Sequence, residues 1–116
     1  MKNKYLMMIA KGKKRIEIHI FSRALKKIKP GDILLLFDGR ANIVRAIVKA
    51  VRIYDSLESL LKSENFKEIL PTAKSVEDLI KEVEKIYWMI DKNELHEKKF
   101  IAIELDVIDF IEGIKR

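Results

Sequence analysis

Residues 15–21 alternate strictly: Ile16, Ile18 and Ile20 fall on one side of an extended chain, and Arg15, Glu17, His19 and Phe21 on the other. A period of two predicts a half-buried strand, here with a chemically loaded second face. Ahead of it, Asn3 to Ala10 offers Tyr5, Leu6, Met8 and Ile9 for burial. That predicts a short helix, capped by Asn3 and stopped by Gly12. Ser22 to Lys29 reads as a basic connector. Pro30-Gly31 suits the two central positions of a type II turn, because proline presets φ and glycine accepts φ > 0. Ile33 to Phe37 is apolar throughout, which predicts a central strand. Asp38-Gly39-Arg40 is a tight loop.

Ile43 to Tyr54 predicts a long strand with Val44, Ala46, Val48 and Ala50 on one small apolar face. The phase then breaks, because Arg52 falls where an apolar residue is due. A bulge or bend near 50–52 accounts for this. Asp55 and Glu58 have capping-box spacing ahead of Leu57, Leu60 and Leu61. Phe66, Ile69 and Leu70 add a short turn that Pro71 ends. Ser75 with Asp78 opens a helix whose Val76, Leu79, Ile80, Val83, Ile86, Tyr87 and Ile90 share a face. Tyr87 lies on that face and is assigned to the core. Trp88 lies off it, to pack under the tail or stack on a base. Asp91 to Lys99 reads as a charged loop, and Ile101, Ile103, Leu105 and Val107 as one face of a last strand, with a tail over 109–116. The order α-β-β-β-α-α-β, with helices grouped before the final strand, predicts one α+β, barrel-like domain over 1–116.

Charge sharpens this picture. Residues 1–54 hold 14 Lys/Arg against three acids and residues 55–116 hold ten against 15, so a net charge of +6 conceals segregated halves. A field of one sign attracts polyanions. The competing expectation is that the acidic half folds over the basic half and neutralises it. The chain has no cysteine, which excludes disulfides and thiolate chemistry and makes a reducing cytoplasm the default. No apolar run approaches a membrane span, and no leader pattern opens the chain. Absent glutamine, a single threonine and abundant Lys, Glu and Ile point to a thermophilic source. His19 and His96 lie on different elements, so neither a metal site nor a cofactor is expected.

The run Gly12-Lys13-Lys14-Arg15-Ile16-Glu17-Ile18-His19 resembles the ASCH motif, Gly-x-Lys-x-x-Glu-x-Arg. Gly12, Lys14 and Glu17 match, and His19 stands where arginine is usual. Lys29-Pro30-Gly31-Asp32 resembles the family's Lys-x-Gly-Asp element. The Val51 to Ser56 junction, the Leu70-Pro71 stop and the Ser75 to Asp78 helix start continue the likeness, which covers Tyr5 to Val107. It implies a PUA-like small mixed β-barrel with flanking helices and a cleft beside the signature strand. It also implies binding of RNA. One bacterial branch instead deacylates acetylated cytidine, using the motif lysine and a carboxylate elsewhere, with threonine at the position of Glu17. Another branch is described as a ribonuclease.

Two readings follow. In the first, the strand 15–21 floors a basic cleft for RNA or a nucleotide. Lys13, Lys14 and Arg15 take phosphate, Glu17 and His19 meet base edges, and Phe21 stacks. Arg23, Lys26 and Lys27 form the rim, and Arg40, with Arg45 and Lys49, extends the basic surface. In the second, Lys14 and Glu17 are catalytic in a small hydrolase. A lysine acts as base or nucleophile only when neutral, and Glu17 opposes that, so binding is favoured. The bland alternative is an outward strand face with Glu17 in a surface ion pair.

Overall fold

The computed structural model describes residues 1–113. Helix α1 (Asn3–Ala10) leads into strand β1 (Ile16–Ile20), a short α2 (Arg23–Lys26), β2 (Ile33–Phe37) and the long β3 (Ile43–Tyr54). Four helices follow, α3 (Leu57–Ser63), α4 (Phe66–Ile69), α5 (Val76–Ile86) and α6 (Lys92–Glu97), before β4 (Phe100–Ile111). The strands form one antiparallel sheet in the order β1-β4-β3-β2. β1 and β2 do not pair, so the expected barrel is a half-barrel with two edges.

The structure adds two short helices and departs from the expected pattern at three places. The basic connector contains α2, capped by Ser22. The charged loop contains α6, whose Asp91 carboxylate accepts from the Asn93 and Glu94 amides. Asn3 does not cap α1, since the N-cap is Lys2 without a side-chain bond, and the Asn3 amide donates to Asp38 instead. Ser56 rather than Asp55 caps α3, accepting from the Ser59 amide. β2 is an edge strand, not a central one. Its continuous apolar run suggested burial on both faces, yet Ile33, Leu35 and Phe37 are each more than half exposed.

The expected irregularity in β3 is present. The register slips at Lys49, between Val48 and Ala50, and again opposite Ile108 of β4. Each extra residue bends its strand and increases local twist, which curls the sheet. Past the first slip, Arg52 turns toward the helices. There Glu64 receives both Nε (2.6 Å) and an Nη2 bond (2.9 Å), and Glu104 a further one (3.0 Å). The Tyr54 hydroxyl also donates to Glu64.

One core lies between the sheet and the helices, around Ile16, Leu57, Leu60, Leu79, Val83, Leu95 and Phe100. A second fills the concave side, with Ala46, Val48, Ile101, Ile103 and Leu105 packed by Phe21, Leu25 and Ile28. A third, smaller cluster seats α1 through Leu6 and Ile9 on Val44. Tyr87 packs edge-on to Phe100, with ring centroids 6.3 Å apart, as its place on the apolar face of α5 predicts. Trp88 projects outward, 76% exposed, and packs under nothing. β4 runs on to Ile111, and the end of the expected tail, 114–116, lies outside the described residues. No helix among the described residues is long and apolar enough to cross a membrane.

Candidate functional site

The site begins with how α1 stops. Gly12 adopts φ +73° with open space around its α-carbon, so glycine is needed there for conformation and not for room. The Gly12 amide donates to the Ile9 carbonyl and the Lys13 amide to that of Met8, the Schellman pattern of a helix end. The chain reverses within two residues and drops Lys14 beneath the start of β1.

Lys14 and Glu17 are buried charged residues, 7% and 9% exposed. The Lys14 ammonium donates to the carbonyls of Ile69 (2.6 Å) and Ile16 (3.0 Å) and pairs with Glu17 Oε1 at 2.9 Å. The Ile69 carbonyl ends α4, where no intrahelical donor reaches it. All three ammonium hydrogens are thereby spent. Glu17 Oε2 meets His19 Nε2 at 3.1 Å. Burial pushes the Glu17 carboxyl up, but the His19 hydrogen bond and the Lys14 charge and hydrogen bond outweigh it and hold the pKa at about 2. The carboxylate is therefore ionised and fixed. In the neutral imidazole it favours the proton on Nε2 and leaves Nδ1 as an acceptor. His19 is 42% exposed, so the relay from Ile69 through Lys14 and Glu17 ends at solvent.

These residues floor a cleft of about 290 Å³ at the free edge of β1. Leu79, Val83 and Ile86 of α5 with Tyr87 at its C-cap form one wall, Met1, Lys2 and Tyr5 the other, and Ile69 and Leu70 the back. The Tyr5 hydroxyl donates to Glu82, tying α1 to α5. Burial, and then the Glu82 carboxylate, push the Tyr5 phenol well above its usual range. The strand edge itself takes part. The Arg15 carbonyl accepts from the Leu105 amide of β4 and the Phe21 amide donates to the Lys99 carbonyl just ahead of it, so by antiparallel alternation the even residues turn their main chain outward. The Ile16 carbonyl takes Lys14 and the Ile20 amide donates to the Tyr87 hydroxyl at 3.3 Å. The Ile18 amide and carbonyl between them border the cleft.

Of the sequence candidates, Lys14, Glu17 and His19 come together here, and the others do not. Arg15 is exposed and pairs with Asp106 at 3.3 Å. Phe21 packs in the concave core beneath Lys99, whose Nζ lies 5.8 Å from the ring centroid, and offers no stacking face to the cleft. Arg23, Lys26 and Lys27 project from α2, and Arg40 from the β2–β3 turn, outside the lining. Lys13 lines a separate groove of about 340 Å³ across α1, with Lys4, Lys11, Met7 and Met8. Nor is the cleft basic: Lys2, Lys14 and His19 are matched by Glu17 and Glu82 amid mostly apolar walls. Lys14 cannot be a mobile phosphate ligand, because burial and three bonds hold it. The surface ion-pair reading of Glu17 fails for the same reason. Tyr5, Glu82 and the Ile69 carbonyl were missed. Glu82 had a signal, since a carboxylate at 82 shares the helical face of Leu79, Val83 and Ile86. The carbonyl had none. Among the described residues no group of His and acids could hold a metal ion.

An antiparallel half-barrel with flanking helices, its edge strand flooring a helix-walled cleft, places the protein in the PUA-like class. The chain belongs to the ASCH domain family, whose model matches residues 1–108. That family is one with a proposed RNA-binding role. Its structure is similar to that of the archaeal hypothetical protein PH0355, at TM-score 0.78 and 30% identity over 93% of this chain and 94% of the other. It is also similar to PF0455 from Pyrococcus furiosus, at TM-score 0.67 and 29% identity over 93% of each. Protein EF3133 from Enterococcus faecalis shares the fold at TM-score 0.61 and 13% identity, over 98% of this chain and 76% of that one. No curated protein matches the chain.

Proposed function

We propose that the chain binds single-stranded RNA by taking one unstacked base into the cleft beside β1. The observation that carries this reading is the pairing of apolar walls with a fixed polar floor. Tyr5, Leu79, Val83, Ile86 and Tyr87 offer surfaces for the faces of a planar ring. Glu17, His19 Nδ1 and the Ile18 main chain offer hydrogen-bond partners for its edge. Unpaired bases are recognised in just this combination of contacts. A volume of about 290 Å³ is at the small end for ligand sites, which suits one base or nucleoside.

The charge pattern supports a longer anion than a free nucleoside. Lys2, Lys4, Lys11 and Lys13 flank the cleft and the adjoining groove, and none pairs with an acid among the described residues. Asp109, Asp106 and Glu64 of the acidic half pair instead with Arg45, Lys49 and Arg52. Phosphates on either side of the held base would meet these lysines. A hydrolytic role for Lys14 is disfavoured by its geometry, since its donors are committed to two carbonyls and Glu17.

The test is a salt titration of binding to a panel of single-stranded RNAs and modified nucleosides, with product analysis on the same samples. Affinity that falls linearly in log–log form with salt, without turnover, is the expected result. Salt-insensitive binding, no binding, or turnover abolished by Lys14→Ala with the fold intact would overturn it.

A further inference from the structure

Strand β2 presents the opposite edge of the sheet; no strand pairs with it among the described residues, and at its end the Phe37 carbonyl accepts from the Met1 ammonium at 3.0 Å. Its hydrogen-bond parity is set by the Asp32 carbonyl, which accepts from the Val48 amide. Even residues therefore face β3, and Ile33, Leu35 and Phe37 turn their main chain outward. The same three residues have exposed side chains, at 57%, 51% and 51%. Ile47 at 36% and Ile111 at 49% extend the patch across β3 and β4 on this face. With large apolar residues at roughly 200 Å² each, the exposed apolar surface is on the order of 500 Å².

Natural edge strands are guarded by lysine, proline, a bulge or a covering element. β2 has none of these between Ile33 and Phe37, and its register with β3 is regular. The face is also electrically closed. Arg45 is bound to Asp109 through its Nε at 2.8 Å, and Lys49 lies 3.5 Å from Asp106. An RNA backbone therefore has nothing to engage here, unlike at the lysines around α1.

We infer that this edge is the interface of a two-fold homodimer in which β2 pairs antiparallel with β2 of a second copy. The argument for a second copy is self-complementarity. With Leu35 on the axis, outward amides and carbonyls meet their own images. Each Ile33 then faces a Phe37 across the axis and the two Leu35 side chains touch, so one register pairs all three residues once the Phe37 carbonyl exchanges the Met1 ammonium for an Ile33 amide. Each four-stranded sheet continues into the other. The apolar patch with its ion-paired rim approaches the roughly 800 Å² per partner of a stable interface.

The full-length chain tests this by sedimentation up to about 100 µM, at low and high salt. The expected mass is twice the 13.6 kDa of one chain, and it persists at high salt because the contact is apolar. Leu35→Lys, a charge on an exposed edge position, is expected to weaken association about a hundredfold with the circular dichroism unchanged. Should that variant fail to fold, a single cysteine decides the matter, since the chain contains none. Leu35→Cys across the axis sits at disulfide distance from its image and cross-links on mild oxidation, whereas Ile53→Cys, equally exposed, does not. A monomeric wild type, an unchanged Leu35→Lys dimer, or equal cross-linking of the two cysteine variants would overturn the inference. The first outcome would leave the edge to an extended segment of another protein.

Discussion

The two edge strands of the sheet are both five residues long and have opposite fates. β1 alternates apolar with polar side chains, and its outer edge is walled by α1, α4 and α5. β2 is apolar on both faces, and its outer edge carries no strand or helix, just the Met1 ammonium on the Phe37 carbonyl. The strand with more charge is therefore the more deeply enclosed one. Its charges are tolerated because each is met: Lys14 by two carbonyls and Glu17, and Glu17 by Lys14 and His19. No buried side-chain polar atom lacks a partner among the described residues. A buried ion pair of this kind contributes little net stability but fixes its neighbours, and removing one member strands the other. Fixed polar groups at the bottom of an apolar cleft suit the selection of a ligand edge. An apolar strand with an open main chain suits only another strand.

That contrast can be broken most severely at Lys14. Lys14→Met leaves the Glu17 charge buried, and a loss of about 3–5 kcal/mol in urea unfolding is expected. Lys14→Met combined with Glu17→Leu should recover much of it. A single-variant loss under about 1 kcal/mol would show that the floor is not structural.

Acid should find the same weakness. The folded Glu17 pKa of about 2 lies below its ordinary 4.5. The stabilisation is thus full above pH 4.5 and is lost as pH falls from there toward 2, because the unfolded chain takes up the proton first. Thermal midpoints measured across that window should drop more steeply for the wild type than for Glu17→Gln.

A smaller effect separates support from contact. His19→Ala should cost about 1 kcal/mol, well below Lys14→Met, since one bond to Glu17 is lost from a half-exposed ring while Lys14 still meets the carboxylate. It should weaken RNA binding about tenfold by removing one edge contact. An unchanged affinity would place the ligand elsewhere. Lys13→Ala should weaken binding to all RNA sequences alike and lower the salt slope by about 1, whereas Lys26→Ala, outside the groove, should do neither. The mildest change belongs to the other edge. Ile33→Thr on the exposed face of β2 should shift the stability of the monomer by no more than about 0.5 kcal/mol.

Legibility in the sequence followed the range of the interaction. Alternation over 16–20 and the helical stripe of α5 were readable because each is a local period, and Gly12 because a positive φ is a one-residue requirement. The site was half readable. Lys14, Glu17 and His19 stand within six residues of one another, but the Ile69 carbonyl reaches Lys14 across 55 positions, and Tyr5 and Glu82, which wall the same cleft, bond each other across 77. Phe21 and Arg15 share the alternation phase of Glu17 and still leave the cleft. The sheet twists and curls, and one end of a strand face need not look where the other does.

The amino-acid order alone determined the four extended segments, the helices α1, α3 and α5, and the family motif with its paired Lys14 and Glu17. Only the tertiary structure decided that this pair is buried and neutralised rather than offered to phosphate, that the cleft walls are apolar, and that the most hydrophobic strand is the exposed one. Local periodicity fixes what a segment can bury. Which side finds a cover depends on packing between distant segments, and no local pattern records that.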